Sequence, residues 1–114
     1  MALEPLVLEM GLGIDLHGGD YTLAAKRAVR DAIQRNSLMF MRALGVGDTR
    51  EMQVEVTLGI PQPDKVDQAE VLKTLPHGTG TLKVVAGGLE IAPRGDADIT
   101  IMANAALVVK LDLK

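Results

Sequence analysis

Apolar positions recur along this chain with two periods, two residues and about 3.6 residues, and the two periods divide it into strands and helices. From Leu6 to Ile14 one face carries Leu6, Leu8, Met10, Leu12 and Ile14 and the other Val7, Glu9, Gly11 and Gly13, which predicts a strand with its aliphatic face in the core. From Tyr21 to about Asn36, Ala25, Ala28, Val29, Ala32 and Ile33 recur at helical spacing opposite Lys26, Arg27, Arg30, Gln34 and Arg35. This predicts an amphipathic helix, with Asp20 placed to cap its start and Asn36-Ser37 to stop it. Leu38 to Leu44 is too apolar for a free loop and reads as a helical turn packed on a neighbour, followed by a turn at Gly45-Val-Gly47.

The second strand has the cleanest alternation, Met52, Val54, Val56, Leu58 and Ile60 against Gln53, Glu55, Thr57 and Gly59. Pro61-Gln-Pro63 ends it. Asp67-Gln-Ala-Glu70 has the form of a capping box and opens a short helix through Val71, Leu72 and Leu75, which Pro76-His77-Gly78 breaks. Two more strands follow, Thr81 to Ala86 and Ile99 to about Leu111, with Gly87-Gly88 as a bulge or kink and Pro93-Arg-Gly95-Asp as the connecting turn. The order β-α-β-α-β-β predicts an α/β protein of the α+β two-layer kind: a four-stranded mixed sheet with helices on one face.

The last strand changes this picture. Ile101, Ala103, Ala105, Leu107 and Val109 are apolar on one face, and Met102, Ala106 and Val108 are apolar on the other. Both faces therefore call for cover, and two helices screen only one. Another subunit is expected to shield the second face, the alternative being a buried central strand in a monomer.

Composition narrows the partners. A chain of 114 residues is read as one domain. Hydrophobic residues make 47% of it, yet it holds one Tyr, one Phe and no Trp, so its core is aliphatic. The net charge of -3 and the lack of a basic cluster argue against nucleic acid. No apolar run is long enough to span a bilayer and the N-terminus lacks a signal-peptide layout, so a cytosolic protein without a membrane partner is expected. With no cysteine there are no disulfides, thiolate metal sites or thiol nucleophiles.

Candidate chemistry concentrates between Glu9 and Thr22, where ionisable side chains and glycines fall on the turn from the first strand to the first helix. Asp15, His17 and Asp20, with Glu9 near, are of types that ligate a divalent metal, but their spacing matches no ligand signature and no metal is assigned. As a catalytic pair, Asp15 would orient His17 as the acid or base. In a purely structural role, both would bond the turn's own backbone. Gly13, Gly18, Asp20 and Thr22 offer backbone and helix-start groups to a substrate, or else serve tight packing and ordinary capping. Gly11-x-Gly13 is not a dinucleotide fingerprint, because Leu16 stands in the third glycine's place, and no nucleotide or other cofactor is expected. A second group comes from strand ends: Glu55, Thr57, Gly59-Ile-Pro61, His77 and Asn104. Asn104 is an amide in an otherwise apolar strand and must bond either backbone or ligand. Ser37, the only serine, has no His or Lys beside it.

Gly13-x-Asp15-x-His17-Gly18-x-Asp20-x-Thr22-x-Ala24-Ala25-x-Arg27-Ala28-Val29-x-Asp31-Ala32-Ile33, with Gly59-Ile-Pro61, Val66-Asp67, Gly87-Gly88-Leu89 and Asn104-Ala105-Ala106, resembles a small family of conserved hypothetical proteins of bacteria and plants. The likeness spans nearly the whole chain and implies a site more than a reaction. A weaker resemblance, at the level of fold, is to single repeats of the ring-opening amidohydrolases, the cyanuric acid hydrolase and barbiturase family. It implies a homo-oligomer, of three subunits or more, with pockets between subunits and a cyclic amide among possible substrates. The serine-lysine pairs of those enzymes have no counterpart here.

The expectation is thus an enzyme acting on a small polar or anionic metabolite, by proton transfer or hydrolysis, at an inter-subunit pocket. His17 and Asp15 are its catalytic candidates, and Glu9, Gly13, Gly18, Asp20, Thr22 and Asn104 its substrate-binding ones. The rival expectation is a non-catalytic metabolite-binding or assembly protein.

Overall fold

The computed structural model describes residues 3–34, 52–76 and 78–112. The turns expected over 36–47, Ser37 and His77 lie outside the described residues. Within them the chain forms β1 (Leu3–Asp15), α1 (Tyr21–Gln34), β2 (Gln53–Ile60), a 3-10 turn (Pro63–Lys65), α2 (Gln68–Leu72), β3 (Thr79–Ala86), β4 (Leu89–Ile91) and β5 (Thr100–Asp112). The strands make one mixed sheet in the order β1-β5-β2-β3. β5 is its central strand. β1 pairs antiparallel along nearly all of β5 on one side, while β2 and then β4 pair antiparallel on the other. β3 runs parallel to β2.

The α+β architecture and its mixed sheet are therefore as expected, with a fifth strand added. Gly87 and Gly88 are not a bulge within one strand. They carry the chain from β3 across to β5, where Leu89–Ile91 pairs with Thr100–Met102. Gly88 stands at φ 63, and a Cβ there would lie 2.0 Å from the Met102 carbonyl oxygen, so only glycine fits this crossing.

The helices sit on one face of the sheet, and the core fills the space between. Ala24, Ala25, Ala28, Val29 and Ala32 of α1 are buried against Ile101, Ala103, Ala105, Leu107 and Val109 of β5. Met52 and, on β2, Val54, Val56, Leu58 and Ile60 are buried as the alternation predicts. α2 adds Val71, and its capping box forms as read, with the Asp67 side chain accepting from the Glu70 amide.

β1 is the correction. Its aliphatic face does not enter the core: Leu8, Met10, Leu12 and Ile14 are exposed, and the face carrying Glu9, Gly11, Gly13 and Asp15 lies under α1. Glycine is the reason. A Cβ on Gly11 would fall 2.3 Å from the Ala32 amide nitrogen, and one on Gly13 would fall 2.3 Å from both the Ala24 carbonyl oxygen and the Ala28 amide nitrogen. The alanine face of α1 thus rests directly on the backbone of β1, at a separation that leucine side chains would prevent.

α1 also closes the outer edge of β1. The Asp31 carboxylate accepts from the Leu12 amide (3.0 Å), and Arg27 donates to the Ile14 carbonyl oxygen (2.6 Å). These side chains take up main-chain groups that would otherwise template another strand. The opposite face of the sheet has no helix on it among the described residues. No helix among them is long and apolar enough to cross a membrane.

Candidate functional site

β1 and β2 both run antiparallel to β5, and β3 runs parallel to β2, so β1, β2 and β3 all point the same way. Their carboxyl ends meet at one end of the sheet, together with the N-terminus of α1. This is the end at which α/β sheets generally hold their ligands. The segments 15–22, 61–65 and 87–90 gather there.

The sequence pairs His17 with Asp15, but the structure pairs it with Asp98. His17 Nδ1 lies 3.1 Å from Asp98 Oδ1, across 81 positions of chain. The imidazole is otherwise open, its side chain 67% exposed against 30% for Asp98. Against a carboxylate Nδ1 carries the proton, which leaves Nε2 of the neutral ring as an acceptor facing solvent. Arg94 completes the group. Its Nε donates to Asp98, and its Nη2 donates to the Leu16 carbonyl oxygen (3.0 Å) and to Thr100 Oγ1 (3.1 Å). Thr100 Oγ1 in turn donates to the same carbonyl (2.8 Å). The Arg94 guanidinium first, and His17 second, hold the Asp98 carboxyl below its usual range, so it stays an anion beside the ring.

Asp15 has another task. It is buried, and its Oδ2 accepts from the Asp20 amide at 2.8 Å, with Arg27 Nη1 3.9 Å from its other oxygen. Gly18 makes room for this, since a Cβ there would come within 2.9 Å of Asp15 Oδ2. Asp20 caps α1 by accepting from the Leu23 amide (3.0 Å). Thr22 Oγ1 accepts from the Asp67 amide (2.9 Å) and so ties the start of α1 to the start of α2. Much of the helix start expected to clamp a substrate is thus occupied by the chain's own carboxylates. Glu9 and Gly13 lie beneath α1, Glu9 roughly 20 Å up β1 from Asp15 at the usual rise per residue, so neither faces the open end. Burial raises the Glu9 carboxyl above its ordinary range.

A second polar group stands at the same end. Tyr21 donates its hydroxyl to Glu90 and accepts from Gln62 Nε2 (2.7 Å), while Lys65 Nζ lies 5.3 Å from the centre of its ring. Burial, and then the Glu90 carboxylate, push the Tyr21 hydroxyl up to about 12, so it remains protonated at any physiological pH. Asn104 is apart from both groups. It lies on the open face, in a shallow groove of about 400 Å³ lined by Met10, Leu12, Thr57, Gly59, Val85 and Ala106 among others. Among the described residues no cluster of three or more His, Asp or Glu is arranged to hold a metal ion.

Arg94, Asp98, Glu90 and Gln62 carry no signal in the sequence. Pro93-Arg-Gly95-Asp reads only as a connecting turn, and nothing local indicates that it folds back onto His17.

The arrangement defines an α+β two-layer protein with a polar site at the carboxyl ends of its co-directional strands. Residues 5–109 match the family described as Conserved hypothetical protein (Lin0512_fam), and the chain belongs to that family. Among solved structures it is similar to a protein of Nostoc punctiforme described as FtsZ-like and of unknown function, with 39% identity, 98% of each chain covered and a TM-score of 0.89. A comparison with curated proteins found no match. These findings support the conserved family; they lend nothing to the resemblance with ring-opening amidohydrolases.

Proposed function

We propose that this protein is a homo-oligomeric enzyme that moves a proton on a small polar metabolite, with His17 as the acid or base and Asp98 as the residue that orients it. One observation supports this reading above others: the 3.1 Å contact between His17 Nδ1 and Asp98, on a ring that otherwise faces solvent where three strands end together. A carboxylate on Nδ1 fixes the tautomer and orients the ring, so that Nε2 is the nitrogen left to exchange a proton with a substrate. Arg94 is a positioning residue, because it binds both Asp98 and the carbonyl that precedes His17. Asp15 holds the loop through the Asp20 amide and acts on the ring only by shaping its path.

The test is a metabolite panel read both by thermal shift and by turnover. A ligand should raise the melting temperature in proportion to RT ln(1 + [L]/Kd). For the substrate so found, His17→Ala should lower turnover by about 10²–10⁴-fold, the usual contribution of a general acid or base, with folding retained. Unchanged turnover in that variant would remove His17 from the chemistry.

A second reading, a metabolite-binding or assembly protein without catalysis, draws on the fact that Asp15, Asp20 and Thr22 all accept from backbone amides. It predicts thermal shifts without turnover across the panel.

A further inference from the structure

Among the described residues, the open face of the sheet is an apolar feature that the site leaves unused. Leu8, Met10, Leu12 and Ile14 stand in a row along β1, and Leu89 and Ile91 of β4 stand on the same face, because Ile14 and Leu89 both pair with Met102. All six are exposed, Leu8 and Met10 to 62%. Half-exposed side chains of this size expose on the order of 500 Å² of apolar surface together, the upper range for a single patch on a monomer and over half of the ~800 Å² per partner in a standard interface. The face is not uniformly apolar. At the far end of β5 the Lys110–Glu55 ion pair (2.7 Å) marks a polar border.

We infer that a second copy of this chain seats on this face, with β1, β5 and β4 at the centre of the contact. Two further observations favour a second copy. The face carries both a ridge, the bulky row of β1, and a trough beside it lined by Thr57, Gly59, Asn104 and Ala106, so the same surface supplies a projection and a recess that accepts one. A lipid surface suits it poorly: the chain is acidic, and Lys110 on this face is already paired with Glu55. The contact is through side chains and not an extended sheet at the carboxyl end of β1, where Asp31 and Arg27 already hold the outward main-chain groups of Leu12 and Ile14.

This deepens the self-association in the reading above and does not depend on the chemistry of His17. The test is the mass of the full chain by sedimentation, without any ligand. The wild type should sediment as a multimer. Leu12→Asp and Met10→Lys should each sediment at the monomer mass with an unchanged far-ultraviolet circular dichroism spectrum, while Arg30→Glu, on the exposed side of α1, should keep the wild-type mass. If either face variant does not fold, the milder Leu8→Ser paired with Met10→Ser takes its place. A monomeric wild type, a face variant that keeps the multimer, or loss of the multimer in Arg30→Glu would overturn the inference. His17→Ala should leave the mass unchanged, so this result and that of the turnover assay fail separately.

Discussion

Glu9 places a carboxyl between α1 and the sheet, where only 5% of the residue is exposed, and desolvation favours its protonated form. The folded state then binds a proton more tightly than the unfolded chain. Its effect on stability is neutral below the ordinary carboxylate range and turns unfavourable as the pH rises through that range toward the raised folded value. Glu9→Gln removes the charge and keeps the shape. It is expected to raise the midpoint of urea unfolding at neutral pH, and to flatten the pH dependence above the carboxylate range. Asp98 behaves with the opposite sign, since its folded carboxyl is held low: whatever it contributes is present at neutral pH and is lost as the pH falls through that lowered value. At this scale the sequence was partly legible. The carboxylate, histidine and glycine types between Glu9 and Thr22 marked the right turn, because such residues serve turns and sites alike. The partner of His17 was not legible, because a contact across 81 positions leaves no periodicity behind it.

The junction of α1 with β1 decides the architecture at the scale of elements. The helix was readable from its alanine stripe and the strand from its alternation, yet the alternation pointed the wrong face of β1 inward. Hydrophobicity ranks Leu above Gly for the core. Here the close approach of the α1 backbone requires the face without side chains, and the leucines turn outward. Gly13→Ala puts a methyl carbon 2.3 Å from backbone atoms of Ala24 and Ala28, which cannot rotate away. It is expected to cost about 3 kcal/mol, at the upper end for overpacking, measured by chemical denaturation. A much smaller loss would show that α1 has slack to lift from β1. Beside the start of α1, where the Asp67 amide meets Thr22, Asp67→Ala removes the cap of α2 and should cost about 1 kcal/mol in the same measurement.

At the scale of the molecule, the helices among the described residues lie on one face of a sheet whose other face is apolar along β1 and β4. The doubly apolar last strand signalled in the sequence that both faces of the sheet call for cover, but the row of β1 that makes the open face apolar reads there as core. The short β4 did not announce itself, since three residues carry too little alternation to stand out from a turn. Three co-directional strand ends and the start of α1 then bring together, at one pole, side chains from four separate segments, and His17 stands there with one nitrogen committed to Asp98. The most direct test of the reading built on it is a long-range ¹H–¹⁵N spectrum of the histidine side chains, recorded with and without the metabolite that shifts the melting temperature most. The account predicts that His17 is protonated on Nδ1 in the free protein and that its Nε2 resonance moves on binding, with the movement lost in Asp98→Asn. A His17 ring protonated on Nε2, or one whose signals stay fixed while the ligand binds, would contradict it.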